Sequence, residues 1–246
     1  MSRSERAPNA RGNAADACPP RGDACTRPHG PGAAAISMVE TQLMLGQIHL
    51  DHARMDEAFI MFEAAARSHD PRALNMLGRV YERGWGTARN PALAAQYFAG
   101  AASRGYGWAA FNLADLYMAG RGVRADRARA CELYARAARG GVAKALTMLG
   151  LLAEDGVIST SEPDIAATFF HAAAMGGDCW GGLNLGRVHL ARGNVAAALP
   201  WLAMALEHGF DDVFRALAHL VTGQADPRLR HLARLAMARL QVPSQA

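Results

Sequence analysis

The sequence predicts an all-α chain of about twelve helices, stacked in pairs as a right-handed superhelix, or solenoid. Three observations predict it. A register returns every 36 residues, each step holds two apolar-periodic runs, and helix-start and helix-stop residues stand at fixed places between the runs.

The register is carried by pairs of residues. Leu77-Gly78 recurs as Leu113-Ala114, Leu149-Gly150 and Leu185-Gly186, and Tyr97-Phe98 returns as Leu133-Tyr134 and Phe169-Phe170. Ala101-Ala102 returns as Ala137-Ala138 and Ala173-Ala174, before the closing glycines Gly105, Gly141 and Gly177. In chain order, a tail rich in Arg, Pro and Gly covers residues 1–35 and is expected to be disordered. The repeat array spans 36–246, with units at 36–70, 71–106, 107–142, 143–178 and 179–211 and a capping pair at 212–241.

The first unit is short. Leu45-Gly46 stands 32 residues before Leu77-Gly78, so four residues are missing between its two helices. In the second unit Leu77, Val80 and Tyr81 share one helical face, and Ala94, Phe98, Ala101 and Ala102 share another. Its second helix begins at Asn90-Pro91, where the asparagine accepts from free backbone N–H groups and the proline loses nothing by lacking one. Asp126 opens the corresponding helix of the third unit, Glu162-Pro163 that of the fourth and Asn194 that of the fifth. The fourth has VISTSE where the others have Gly-x-Gly, and the fifth is again a 32-residue step with the tight turn Gly193-Asn194. In the last pair Arg228, Arg230, Arg234 and Arg239 suit a solvated end.

Gly120-Arg121-Gly122 raises the question of phosphate binding. A dinucleotide fingerprint needs a strand before its glycines, whereas here, as at Gly84-Trp85-Gly86, a helix precedes and a capped helix follows. The glycines read as helix stops with left-handed backbone angles.

Composition narrows the function classes. Half of the 246 residues are hydrophobic, yet no window approaches a membrane span, with Pro200 interrupting the longest candidate near 195–206. The first 35 residues lack the apolar stretch of a secretory leader. Cys18, Cys25, Cys131 and Cys179 form neither a disulfide framework nor zinc spacing, which points to a reducing, cytoplasmic setting. The net charge of +4 comes from the termini, leaving residues 36–225 near −1 without a basic stripe. His49 and His52 have a spacing that could share a metal, but no third ligand is evident, and no metal or other cofactor is expected. Glu154 and Asp155 are adjacent and do not converge as a catalytic pair would, so no catalytic residue is assigned.

The pattern of Leu-Gly, tyrosine, Gly-x-Gly-Val, an Asp or Asn cap, an aromatic pair and Ala-Ala ending at glycine resembles the Sel-one-like repeat (SLR) family. The resemblance is strongest over 71–178, and the shorter first and fifth units resemble tetratricopeptide repeats. It implies a bacterial scaffold or adaptor, not an enzyme, that binds another protein or peptide along a concave groove lined by the first helix of each pair. By register the groove residues are Arg72, Asn75, Arg79, Trp108, Phe111, Asp115, Lys144, Thr147, Leu151, Trp180, Leu183 and Arg187, and the resemblance adds Asn112 and Asn184, at a register where tetratricopeptide grooves commonly use asparagine to hold a peptide backbone. Aromatic residues and arginine carry much of the energy at such interfaces, although Trp108 and Trp180 could equally pack against the preceding unit. Two alternatives stand beside this reading. One is the penicillin-binding or hydrolase-like activity linked to some secreted family members, which resemble disulfide-pinned repeats. The other is binding of nucleic acid or an acidic partner through the arginine-rich termini.

Overall fold

The computed structural model describes residues 36–159 and 162–241; the predicted tail, with Cys18 and Cys25, lies outside them. Among the described residues there are twelve helices and no strand. They fall into two compact blocks that divide between Gly140 and Gly141.

The first block holds α1 (Met38–Asp51), α2 (Met55–Ala66), α3 (Pro71–Arg83), α4 (Pro91–Ser103), α5 (Gly107–Ala119) and α6 (Arg127–Arg139). Each odd-numbered helix packs on the even-numbered helix that follows it, and α3 and α5 also pack on the helices before them. The second block holds α7 (Ala143–Glu154), α8 (Ile165–Met175), α9 (Cys179–Ala191), α10 (Val195–His208), α11 (Asp211–Val221) and α12 (Pro227–Gln241), paired in the same way.

The Leu-Gly register exists because a large side chain of the paired helix fills the space above each glycine, a phenylalanine ring at Gly46, Gly78 and Gly150 and Leu202 at Gly186. A Cβ on Gly78 would lie 2.6 Å from Phe98 Cε1, and one on Gly150 would lie 2.4 Å from Phe170 Cε1. The repeat at Ala114 departs from this pattern and compensates in sequence. Its ring is Tyr134, fully buried, whose hydroxyl donates to the Asp115 carboxylate where the other repeats have Arg79, Leu151 and Arg187. Burial, reinforced by that carboxylate, holds the Tyr134 phenol well above its usual pKa.

The expected caps are present at three of four places. The side chains of Asn90, Asp126 and Asn194 accept from the backbone N–H groups of Leu93, Arg129 and Ala197. Glu162-Pro163 does not open a helix: α8 starts later, at Ile165, and its N-cap Asp164 makes no side-chain capping bond. In the Gly-x-Gly loops the second glycine is needed for close approach as well as for its angle. A Cβ on Gly122, at φ +70°, would lie 2.3 Å from the Pro91 carbonyl carbon, and one on Gly86 would lie 2.4 Å from the Met55 carbonyl oxygen. Ile158 holds that register in the fourth repeat, where ten residues, 155–164, separate α7 from α8, against seven between α5 and α6.

Proline does not end the helix at Pro200. α10 runs through it, and Pro200 is exposed, so the lost backbone bond faces water. Among the described residues no helix is long and apolar enough to cross a membrane.

Candidate partner-binding surface

The fourteen residues assigned to the groove separate into two classes once packed. Asn75, Phe111, Thr147, Trp180, Leu183 and Asn184 are buried. Arg79, Trp108, Asn112, Asp115, Lys144, Leu151 and Arg187 are partly exposed, and Arg72 is exposed. The buried six include one whole register, Asn75, Phe111, Thr147 and Leu183, which therefore belongs to the core of each helix and not to an open surface. An inner helix such as α5 is covered by α6 on one side and α4 on another, so its buried stripe is wider than that of a helix with a single neighbour.

In the first block the exposed residues of α3 and α5 form the larger polar and aromatic group. Arg72 chelates the Asp70 carboxylate, with Nη2 donating at 2.9 Å and Nε at 3.2 Å, and approaches Glu40 at 3.8 Å. The Arg72 side-chain bond is the main reason that the Asp70 carboxyl lies below its usual pKa. The Arg79 guanidinium lies over the Trp85 ring, 5.3 Å from its centroid. Asn112 Nδ2 donates to Asn75 Oδ1 at 2.9 Å, joining α5 to α3. Trp108 meets the buried Phe111 edge to face, with centroids 5.9 Å apart.

Arg121, between the two glycines, has a job of its own. It reaches back to Glu82 on α3, Nη2 to Oε1 at 2.9 Å, and this carboxylate is buried. The Gly-Arg-Gly turn thus stops α5 and delivers a cation to a carboxylate that would otherwise be left buried and unpaired. Nothing in the repeat register announced this ion pair.

The second block uses its polar residues internally. Trp180 belongs to the core cluster with Leu206, Val213 and Leu229 and meets Phe210 edge to face. Arg187 donates from Nη2 to both Glu154 oxygens, at 2.8 and 2.7 Å, and from Nε to Asn184 Oδ1 at 3.3 Å. Thr147 Oγ1 donates to Asp178 at 2.6 Å, and the same Asp178 oxygen accepts from the Gly181 N–H at 2.9 Å, capping α9. Burial nevertheless raises the Asp178 pKa, and burial also pushes the neighbouring Cys179 thiol up to about 11.

For metal binding, His52 Nδ1 engages the Ile48 carbonyl at 2.8 Å, while His49 Nδ1 is buried without a partner. Among the described residues no three His, Cys, Asp or Glu side chains are grouped to hold a metal ion.

Comparison with known proteins places this arrangement. The Sel1 repeat family model matches residues 71–106, 109–142 and 143–178. A Sel1 repeat protein from Oxalobacter formigenes is 24% identical, with 81% of this chain and 87% of that chain covered at a TM-score of 0.68. The protein c5321, a protective antigen of uropathogenic Escherichia coli strains displaying an SLR fold, is 25% identical at a TM-score of 0.64. The match covers 81% of this chain and 46% of c5321. The immunity protein Pa5087 from Pseudomonas aeruginosa is 16% identical, with 79% and 80% covered and a TM-score of 0.55, a likeness of fold alone. No curated protein matches the chain by sequence.

Proposed function

From the premise that this chain is a member of the Sel1-like repeat family, we propose that it is a non-enzymatic scaffold or adaptor that binds a partner protein or peptide. The SLR fold is commonly a protein-protein interaction scaffold, and Sel1 repeat proteins are generally non-catalytic. The working surface in this reading is the part of the first block offered by α3 and α5. The observation that carries it is the set of Arg72, Arg79, Trp108 and Asn112, partly or fully exposed on two packed helices of equal register. Tryptophan and arginine are enriched among the residues that dominate protein interfaces, and the half-buried Asn112 adds an amide suited to a peptide backbone. Trp180, Leu183 and Asn184 are left out because they are buried. The cytoplasm remains the compartment proposed for this activity.

The test is affinity capture from the native lysate with the intact chain and with a Trp108→Ala, Arg79→Glu variant of equal helicity by circular dichroism. The reading expects a protein retained by the first and lost by the second. Equal capture by both would move the working surface elsewhere.

A second reading rests on α12, where Arg234 and Arg239 are exposed and no acidic partner engages them among the described residues. If an acidic partner or nucleic acid binds there, its affinity falls steeply with added salt, and Arg234→Glu with Arg239→Glu abolishes it.

A further inference from the structure

The outer face of α12 carries more than a solvated end requires. Arg230, Arg234 and Arg239 are exposed, and none of residues 227–246 is Asp or Glu. Between these arginines Leu235 is 40% exposed and Met237 50%. At 3.6 residues per turn, Leu235 and Met237 fall on opposite sides of the row formed by Arg230 and Arg234, and Arg239 follows Leu235 one turn on. A polar end cap is served by charges of both signs and gains nothing from an open leucine and methionine.

The elements packed against α12 do not neutralise it. α12 packs on α11 and α10. On α11 Arg215 holds both Asp211 and Asp212, and before α12 the Asp226 carboxylate is held by Arg228. Glu207, at the end of α10, stands 4.0 Å from His208 and pairs with no arginine of α12. Arg230 donates to the Ala225 carbonyl at 2.6 Å, while Arg234 and Arg239 meet no acid among the described residues.

We propose that this face docks on an anionic phospholipid surface, as a peripheral contact and not a span. It rests on the second reading above, an acidic partner at α12, and gives that partner its chemistry. Charge complementarity selects a polyanion, and the two apolar side chains select among polyanions. A nucleic-acid backbone would pair with the arginines but set Leu235 and Met237 against hydrated phosphates. An acidic peptide is best held in a groove, whereas the outward side of a single helix is a ridge. A membrane interface accepts the ridge and both kinds of group. Guanidinium heads reach lipid phosphates, while the arginine stems and the tips of Leu235 and Met237 enter the boundary between headgroups and acyl chains.

Flotation of the full chain with vesicles tests the docking, using phosphatidylglycerol and phosphatidylcholine in equal parts against phosphatidylcholine alone. The expected result is binding to the first, weakening as salt is raised, and none to the second. Arg234→Glu with Arg239→Glu should weaken it at least about tenfold. Arg124→Glu with Arg139→Glu, the same charge change at exposed sites of the first block, should leave it unchanged. Leu235→Ser with Met237→Ser should weaken it at least about threefold. If the glutamate variant at α12 loses helicity by circular dichroism, Arg234→Gln with Arg239→Gln serves in its place and should weaken binding in the same direction. A short DNA duplex is titrated beside the vesicles. Binding to the duplex alone, lost with the α12 glutamates, would keep an acidic partner at α12 and overturn the lipid surface. Binding to neither would overturn both, and vesicle binding indifferent to the α12 arginines or to Leu235 and Met237 would overturn the docking face.

Discussion

The two ends of the array are finished differently. At the C-terminal end α12 turns Leu229, Leu232 and Ala236 inward and presents Arg228, Arg230, His231, Arg234 and Arg239 to solvent, alongside Leu235 and Met237. At the N-terminal end α1 buries only Gly46 and leaves Met38, Met44, Leu45 and Ile48 open. Terminal repeats of a stacked array need a polar outer face to stay soluble, because each inner face is built for a neighbour. The difference teaches that α12 has become a cap in sequence, whereas α1 keeps the residues of an inner repeat.

The sharpest way to break this comparison uses one register at two places. Leu77→Glu puts a carboxylate where burial is nearly complete and should cost more than about 4 kcal/mol of stability. Leu45→Glu, at the same register of α1, should cost the single chain less than about 1 kcal/mol, because the side chain reaches water. Equal losses in urea titrations would mean that α1 is covered within the chain.

The inner sides of the two ends should behave alike. Phe62 is fully buried against Gly46, and Leu229 of α12 is fully buried in the core cluster with Leu202, Val213 and Leu217. Phe62→Ala is expected to cost about 3–5 kcal/mol and Leu229→Ala about 2–5 kcal/mol by chemical denaturation. A negligible loss at either would show that the terminal pair is not docked on its neighbour.

Smaller effects come from the caps. Ser37 and Glu40 form a reciprocal capping box on α1, so Ser37→Ala should lower stability by about 1 kcal/mol in the same titration. On α12, Asp226 accepts from the Arg228 backbone at 2.8 Å and is chelated by its guanidinium. The Arg228 side chain is the main cause that lowers the Asp226 pKa from 3.8 to about 2. A lowered folded-state pKa means that the contribution is present above 3.8 and fades as pH falls towards about 2. Melting temperatures across that window should show this slope in the intact chain, and Asp226→Asn should flatten it.

Much of the fold was legible because its signals are local and repeated. The Leu-Gly register, the caps at Asn90, Asp126 and Asn194, and the short turns 52–54 and 192–194 each express a backbone requirement that one or two residues satisfy. The late start of α8 was not legible, because Glu162-Pro163 looks like a good cap, yet the helix begins at Ile165 after Asp164, which makes no side-chain capping bond. The surface was harder to read than the core. Asn75, Thr147 and Asn184 are polar yet buried, each satisfied by a bond that depends on packing: Asn75 to Asn112, Thr147 to Asp178, and Asn184 to the Trp180 carbonyl. Register placed Asn75 and Thr147 on the groove, and likeness to tetratricopeptide grooves placed Asn184 there. The Glu82–Arg121 pair was missed because its residues lie on different repeats, 39 positions apart, and no periodic signal links a helix to the following loop.

Amide hydrogen exchange of the chain, alone and saturated with its captured partner, tests the scaffold reading most directly. The account predicts new protection concentrated in α3 and α5, around Arg72–Arg79 and Trp108–Asp115, and lost with Trp108→Ala. Protection confined to α12, or to the second helices α4 and α6, would contradict it.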